Sequence, residues 1–183
     1  SPPAVPNSTG GSISLDGATL IASNNAGISI FGLGSFSGQL APTQDFPHGD
    51  VLLLGNYAVG VAPNALSGVL TPTALQQWRY PFTQFGFYTR MPVSDGTSIW
   101  HSNDADRVVR INAQTGAQEE LKFLPYIFPA YCPPVLNTQE RLLYLLATDR
   151  IFALDADSLL LQGGYGLLNV STSSTITYIG HAT

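Results

Sequence analysis

Short apolar runs, each broken by small and polar residues, recur along the chain. Ala18-Thr19-Leu20-Ile21-Ala22-Ser23 leads through Asn24-Asn25-Ala26-Gly27 into Ile28-Ser29-Ile30-Phe31-Gly32-Leu33. Asp50-Val51-Leu52-Leu53-Leu54-Gly55 leads through Asn56-Tyr57-Ala58 into Val59-Gly60-Val61-Ala62. Thr97 to Ser102 leads through Asn103-Asp104-Ala105-Asp106 into Arg107 to Asn112, and Arg141 to Ala147 through Thr148-Asp149 into Arg150 to Asp155. A fifth start stands at Thr175 to Gly180. Runs of this length, closed by Asn, Asp and Gly, predict tight antiparallel hairpins, because those residues accept the backbone angles of short turns.

The small residues before the turns are Ser23, Gly55, Ser102, Ala147 and Gly180. Their steps average about 39 residues, near the spacing of propeller-type repeats. Ser37-Gly38, Ser67-Gly68 and Thr115-Gly116 read as further turns, with third strands at Ala117 to Leu121 and Leu160 to Gly163. The best helical candidate is Thr73 to Trp78, ended by Tyr80-Pro81. Leu124 to Pro134 carries four prolines and predicts a loop or an edge, since proline cannot donate to a sheet ladder.

Arg107-Val108-Val109-Arg110-Ile111-Asn112-Ala113-Gln114-Thr115-Gly116 and Asp149-Arg150-Ile151-Phe152-Ala153-Leu154-Asp155-Ala156 resemble the inner hairpin of quinoprotein-like (PQQ-type) β-propeller repeats. The resemblance covers about four units across residues 17–183. The family's tryptophan-docking pattern is mostly missing: of Trp78 and Trp100, neither follows a Thr-Gly turn. Radial stacking is also the physical solution for a small sheet that cannot bury both faces alone. The expected fold is therefore all-β: a β-propeller-like array of short antiparallel hairpins, forming part of a larger propeller. A β-sandwich built from the same hairpins is the alternative. Residues 1–16 form a Pro/Gly/Ser-rich N-terminal segment, and 17–183 the repeat domain.

Composition narrows the function classes. Only 10% of residues are charged and the net charge is −5, which excludes the clustered cations of a nucleic-acid binder. A single cysteine, Cys132, excludes an internal disulfide. No apolar run approaches a membrane-spanning helix. Asn7-Ser8-Thr9 and Asn169-Val170-Ser171 match the N-glycosylation acceptor, so glycans are expected at Asn7 and Asn169. These features predict an extracellular or cell-surface protein.

Candidate chemistry is sparse. His48, His101 and His181 fall near different turns and lack metal-ligand spacing. Asn103-Asp104-Ala105-Asp106 and Asp155-Ala156-Asp157-Ser158 offer paired oxygens, but turn capping explains them more simply than calcium. Cys132 reads as an inert thiol, and Gly32-Leu33-Gly34 lacks the rest of a dinucleotide motif. No nucleophile elbow is present.

Aromatic clusters are the stronger signal. Trp78, Tyr80 and Phe82 share one strand parity, and Phe123, Tyr126, Phe128 and Tyr131 fall in and beside the Pro-rich stretch. These seven residues are the expected interface, with burial in the core as the alternative reading of both clusters. The expectation is a non-catalytic structural or protein-interaction module of an extracellular or surface assembly, binding other subunits or copies of itself, without a cofactor. The alternative is a fragment of a propeller enzyme, such as a quinoprotein-type dehydrogenase or a lyase.

Overall fold

A computed structural model describes residues 10–13, 19–24, 27–32, 37–41, 51–62, 65–70, 75–82, 91–102, 107–124, 133–147 and 150–166. They form sixteen strands in four sheets. The first sheet holds β1 (Gly10–Ile13), β2 (Thr19–Asn24), β3 (Gly27–Gly32) and β4 (Ser37–Ala41). The second holds β5 (Val51–Leu54), β6 (Tyr57–Ala62), β7 (Ala65–Leu70) and β8 (Leu75–Pro81). The third holds β9 (Val93–Ser94), β10 (Ser98–Ser102), β11 (Arg107–Asn112) and β12 (Gln118–Phe123). The fourth holds β13 (Val135–Asn137), β14 (Leu142–Leu146), β15 (Arg150–Asp155) and β16 (Leu161–Gly166).

Each sheet is an antiparallel meander, with strands in chain order. First strands meet across sheets, β1 against β5 and β9 against β13. Each sheet is thus a blade with its first strand toward the common axis and its fourth outermost. Four separate meanders exclude the two-sheet sandwich.

Packing explains why the apolar runs do not alternate. All five residues of β10 are buried. Successive side chains of a strand point to opposite faces. Ile99 therefore enters the core between blades 2 and 3, with Val59, Val61, Leu66, Val109 and Ile111. Its neighbour Trp100 enters the core between blades 3 and 4, with Val108, Leu143, Leu145, Phe152 and Leu154. A blade flanked on both sides buries both faces, so apolar residues of its middle strands need not alternate: Ile99 and Trp100, and Val108 and Val109, stand side by side.

Three sequence expectations change. Thr73 to Trp78 is not a helix where it is described: Leu75–Pro81 is the outer strand β8. Ser67-Gly68 lies inside β7, and Ser37-Gly38 likewise belongs to β4, so neither is a turn. The second repeat is also offset by one strand. Its Gly55-Asn56 turn joins β5 to β6, the first pair of the blade, whereas the hairpins read elsewhere are second-to-third pairs. Reframed from Ser23 to Ala62, Ser102 and Ala147, the steps become more even, at about 40 to 45 residues.

A β-bulge recurs at one place, between Gly68 and Val69, Arg110 and Ile111, and Ala153 and Leu154. An extra residue in the outer strand increases local twist, and it aligns the blades residue by residue. Asn7, Asn169, His48, His181, Cys132, Tyr126, Phe128, Tyr131, residues 103–106 and the start at Thr175 lie outside the described residues.

Candidate interaction site

The meander sends the first and third turns of each blade to one end of the molecule. At that end, one turn design repeats four times in blades 3 and 4. The side-chain oxygen of Asp95 accepts from the N–H groups of Thr97 and Ser98 at 3.0 and 2.9 Å. Asn112 accepts from Gln114 and Thr115, each at 3.0 Å. Asn137 accepts from Gln139 and Glu140 at 3.1 and 3.2 Å. Asp155 accepts from Asp157 and Ser158 at 3.1 and 2.8 Å. These Asx turns satisfy backbone donors that the ladder leaves over. Asp155 is therefore a turn cap, and burial there does not drive its acidity: the Ser158 N–H and hydroxyl hold its carboxyl below the usual range.

The fourth-blade turn lacks the glycine of Thr115-Gly116. Gly116 has φ +67°, and Leu159 takes φ 53° at the matching place. A left-handed leucine is unfavourable, but Leu159 is fully buried in the core between blades 3 and 4.

Indoles cross from blade to blade at this end. Trp78 Nε1 of β8 donates to the Ala113 carbonyl at 3.0 Å. Its ring lies against Gly116, where an added methyl would come within 2.6 Å of it. Trp100 Nε1 donates to the Ala156 carbonyl at 2.7 Å. Blade 2 thus docks by tryptophan on the Asn112–Gly116 turn of blade 3, a pattern read from sequence as mostly missing. The signal was present as Thr73-Ala74 four residues before Trp78, an alanine standing for the expected glycine. Trp78 is only 7% exposed and serves as blade-to-blade cement, in line with the buried reading of its cluster.

Charged groups lock blades 3 and 4 nearby. Arg141 bonds Asp157 at 2.5 Å and Asp95 at 2.8 Å, and these hydrogen bonds raise its pKa. Arg110 bonds Glu119 at 2.8 Å, Asp157 Oδ1 at 3.1 Å and the Asp157 carbonyl at 2.5 Å. Burial alone would raise the Asp95 carboxyl, but the Ser98 N–H, Arg141 and the Thr97 N–H together hold it below its ordinary value. Burial likewise opposes, and Arg110, Ser98 and Asn112 outweigh it, at Glu119. Every one of these acids already has partners, so the network reads as structural.

The candidate site runs along the same seam, from Gln118 beside the Asn112–Gly116 turn toward the far ends of β8 and β10. A groove of about 140 Å³ opens between blades 2 and 3, lined by Tyr80, Phe82, His101, Arg107, Gln118 and Leu121 among others. Its walls form one aromatic chain. Tyr80 meets Phe82 edge-on, with centroids 6.0 Å apart, and Phe82 stacks on His101 at 5.0 Å. The Tyr80 hydroxyl donates to Gln118 Oε1 at 2.7 Å, across the two blades. Burial raises the Tyr80 pKa, partly offset by Arg107, so the hydroxyl stays protonated. The Arg107 guanidinium sits 5.2 Å from the ring of Phe123, which is 55% exposed beside the groove. Tyr80, Phe82 and Phe123, three of the seven expected interface residues, thus gather here. Arg107, His101 and Gln118 join them, missed because they come from strand ends far apart in sequence. No group of three or more His, Cys, Asp or Glu that could hold a metal occurs among the described residues, and no helix among them is long and apolar enough to cross a membrane.

No family model and no curated protein matches this sequence. The structure is similar to the crystal structure of BamB from Moraxella catarrhalis, with a TM-score of 0.70 at 13% identity. The match covers 87% of this chain and 53% of that one, so the chain spans about half the length of that protein. The likeness shows the fold, a β-propeller-like array of four-stranded antiparallel blades.

Proposed function

We propose that the chain is a non-catalytic protein-interaction module of a surface or extracellular assembly. The groove between blades 2 and 3 is its binding surface. One observation carries the reading. An aromatic chain from Tyr80 through Phe82 to His101 ends beside an exposed Phe123 under the Arg107 guanidinium. Aromatic side chains beside an arginine are the composition of protein-binding hot spots, because they present large, rigid area at little entropic cost. The low charge of the chain also suits a protein that works against neighbours. The likeness to BamB supports the propeller scaffold on which such a groove is presented.

The test uses an anilinonaphthalene sulfonate dye, whose rings and anion suit the groove, together with light scattering. Saturable dye fluorescence, reduced several-fold by Phe123→Ser with the circular dichroism unchanged, is the expected result. A monodisperse monomer with no saturable dye binding would contradict the proposal.

A further inference from the structure

The described turns at the end that carries the Asx caps each use one residue in the left-handed region. The first turn of blade 2 uses Gly55 (φ +54°), the first turn of blade 3 uses Gly96 (φ +93°), and the third turn of blade 3 uses Gly116 (φ +67°). Glycine is the default at such places, because a Cβ crowds the following carbonyl. Blade 4 departs from this at both turns. Its first turn uses Arg141 (φ 54°) and its third uses Leu159 (φ 53°).

Both of the side chains that stand in place of glycine reach blade 3. Leu159 is fully buried in the core that holds Trp100 and Val108 of that blade. Arg141 donates to Asp95 Oδ2, in the first turn of blade 3, at 2.8 Å, and its guanidinium lies 5.7 Å from the Trp100 ring. The two turns of blade 4 are also tied to each other. The Ala156 N–H donates to the Arg141 carbonyl at 2.8 Å, and the Ala156 carbonyl accepts from Trp100 Nε1 at 2.7 Å. A side chain larger than hydrogen persists in the left-handed region only where its surroundings over-determine it. Here much of that support comes from the neighbouring blade.

We infer that Arg141 and Leu159 form a two-point clasp that makes docking of blade 4 on blade 3 and closure of the two blade 4 turns a single cooperative step. With blade 3 docked, both side chains gain contacts that offset the left-handed backbone. With blade 3 withdrawn, that backbone loses its support and both turns open. The glycine turns of blades 2 and 3 carry no such dependence. The clasp lies in the seam between blades 3 and 4, so its test is independent of the groove between blades 2 and 3.

Native-state hydrogen exchange of the 183-residue chain, followed by NMR at the Ala156 and Leu159 amides, reads this coupling. Asp95→Asn keeps the side-chain oxygen that caps its own turn and removes the ion pair to Arg141. Although it lies in blade 3, it should speed exchange at both blade 4 amides by about threefold or more, as loss of a partly exposed ion pair does. Arg141→Gly should speed them as well, although glycine suits the left-handed backbone. Adding Asp95→Asn to Arg141→Gly should bring no further increase, because the two residues act through one contact. Unchanged exchange at Ala156 and Leu159 in Asp95→Asn overturns the inference. Slower exchange in Arg141→Gly, or the same added increase in both backgrounds, overturns it too. Asp95→Asn preserves the size of the side chain, so it decides the question alone should Arg141→Gly misfold.

Discussion

At the scale of single residues, two glycines carry more of the architecture than any polar group. Gly68 and Gly116 contact opposite sides of the same indole. Gly68→Ala places a methyl inside the Trp78 ring and is expected to destabilise by about 2–3 kcal/mol, the usual cost of overpacking. Trp78→Phe keeps most of the apolar contact but leaves the buried Ala113 carbonyl without its donor, for a loss of about 1–3 kcal/mol. Urea denaturation of both variants against wild type measures each value. Equal stability of Gly68→Ala and wild type would remove the docking geometry. None of this was visible from residue counts. Parity groups Trp78 with Tyr80 and Phe82, but its partner lies 35 residues on in sequence, where no local pattern reports it.

At the scale of elements, the turns were legible and the strands they join were less so. Asn and Asp at turn starts announced the hairpins, and Asp155 does cap its turn as its spacing implied. Asn137→Ala is expected to cost about 1 kcal/mol, in the range of a lost side-chain cap, because two backbone donors lose their acceptor. Thermal unfolding would show it as a lowered Tm, and an unchanged Tm would reduce the Asx turn to decoration. The frame slip in blade 2 has a physical origin. Gly55-Asn56, with Gly55 at φ +54°, makes the tightest turn signal in that blade, but between its first two strands. The first strands of blades 3 and 4 are too brief to announce themselves, two residues in β9 and three in β13. The helical reading of Thr73 to Trp78 failed because Ala-Leu-Gln-Gln favours helix locally, while docking of the indole on blade 3 demands an extended outer strand.

At the scale of the whole molecule, stability resides in the junctions between blades. The junction of blades 3 and 4 couples an apolar core to a charged lock. Asp95 and Glu119 titrate below their ordinary values of 3.8 and 4.5. A depressed carboxylate stabilises the fold fully above its unfolded pKa, and that contribution is lost as pH falls through the folded value. Stability should thus decline on acidification below about pH 4.5. In Asp95→Asn with Glu119→Gln the decline should be shallower, and the neutral-pH Tm lower by a modest amount, since such pairs are partly screened by solvent. A double variant whose Tm falls as steeply with acid as wild type would assign the acid response to other groups. The groove between blades 2 and 3 is a product of this same scale. Arg107 and Phe123 are cross-strand partners within blade 3, and Tyr80 joins them only because consecutive meanders stack, so the sequence displayed its aromatics but not their company.

Blades 2 and 3 dock through an indole laid on a glycine turn, and proton NMR reads that contact directly. The ring current of Trp78 should move the Gly116 Hα resonances well upfield of their usual position, and the shift should vanish in Trp78→Leu. Gly116 protons at ordinary shifts in the folded wild-type protein would contradict the docking, and with it the stacked-blade account of the fold.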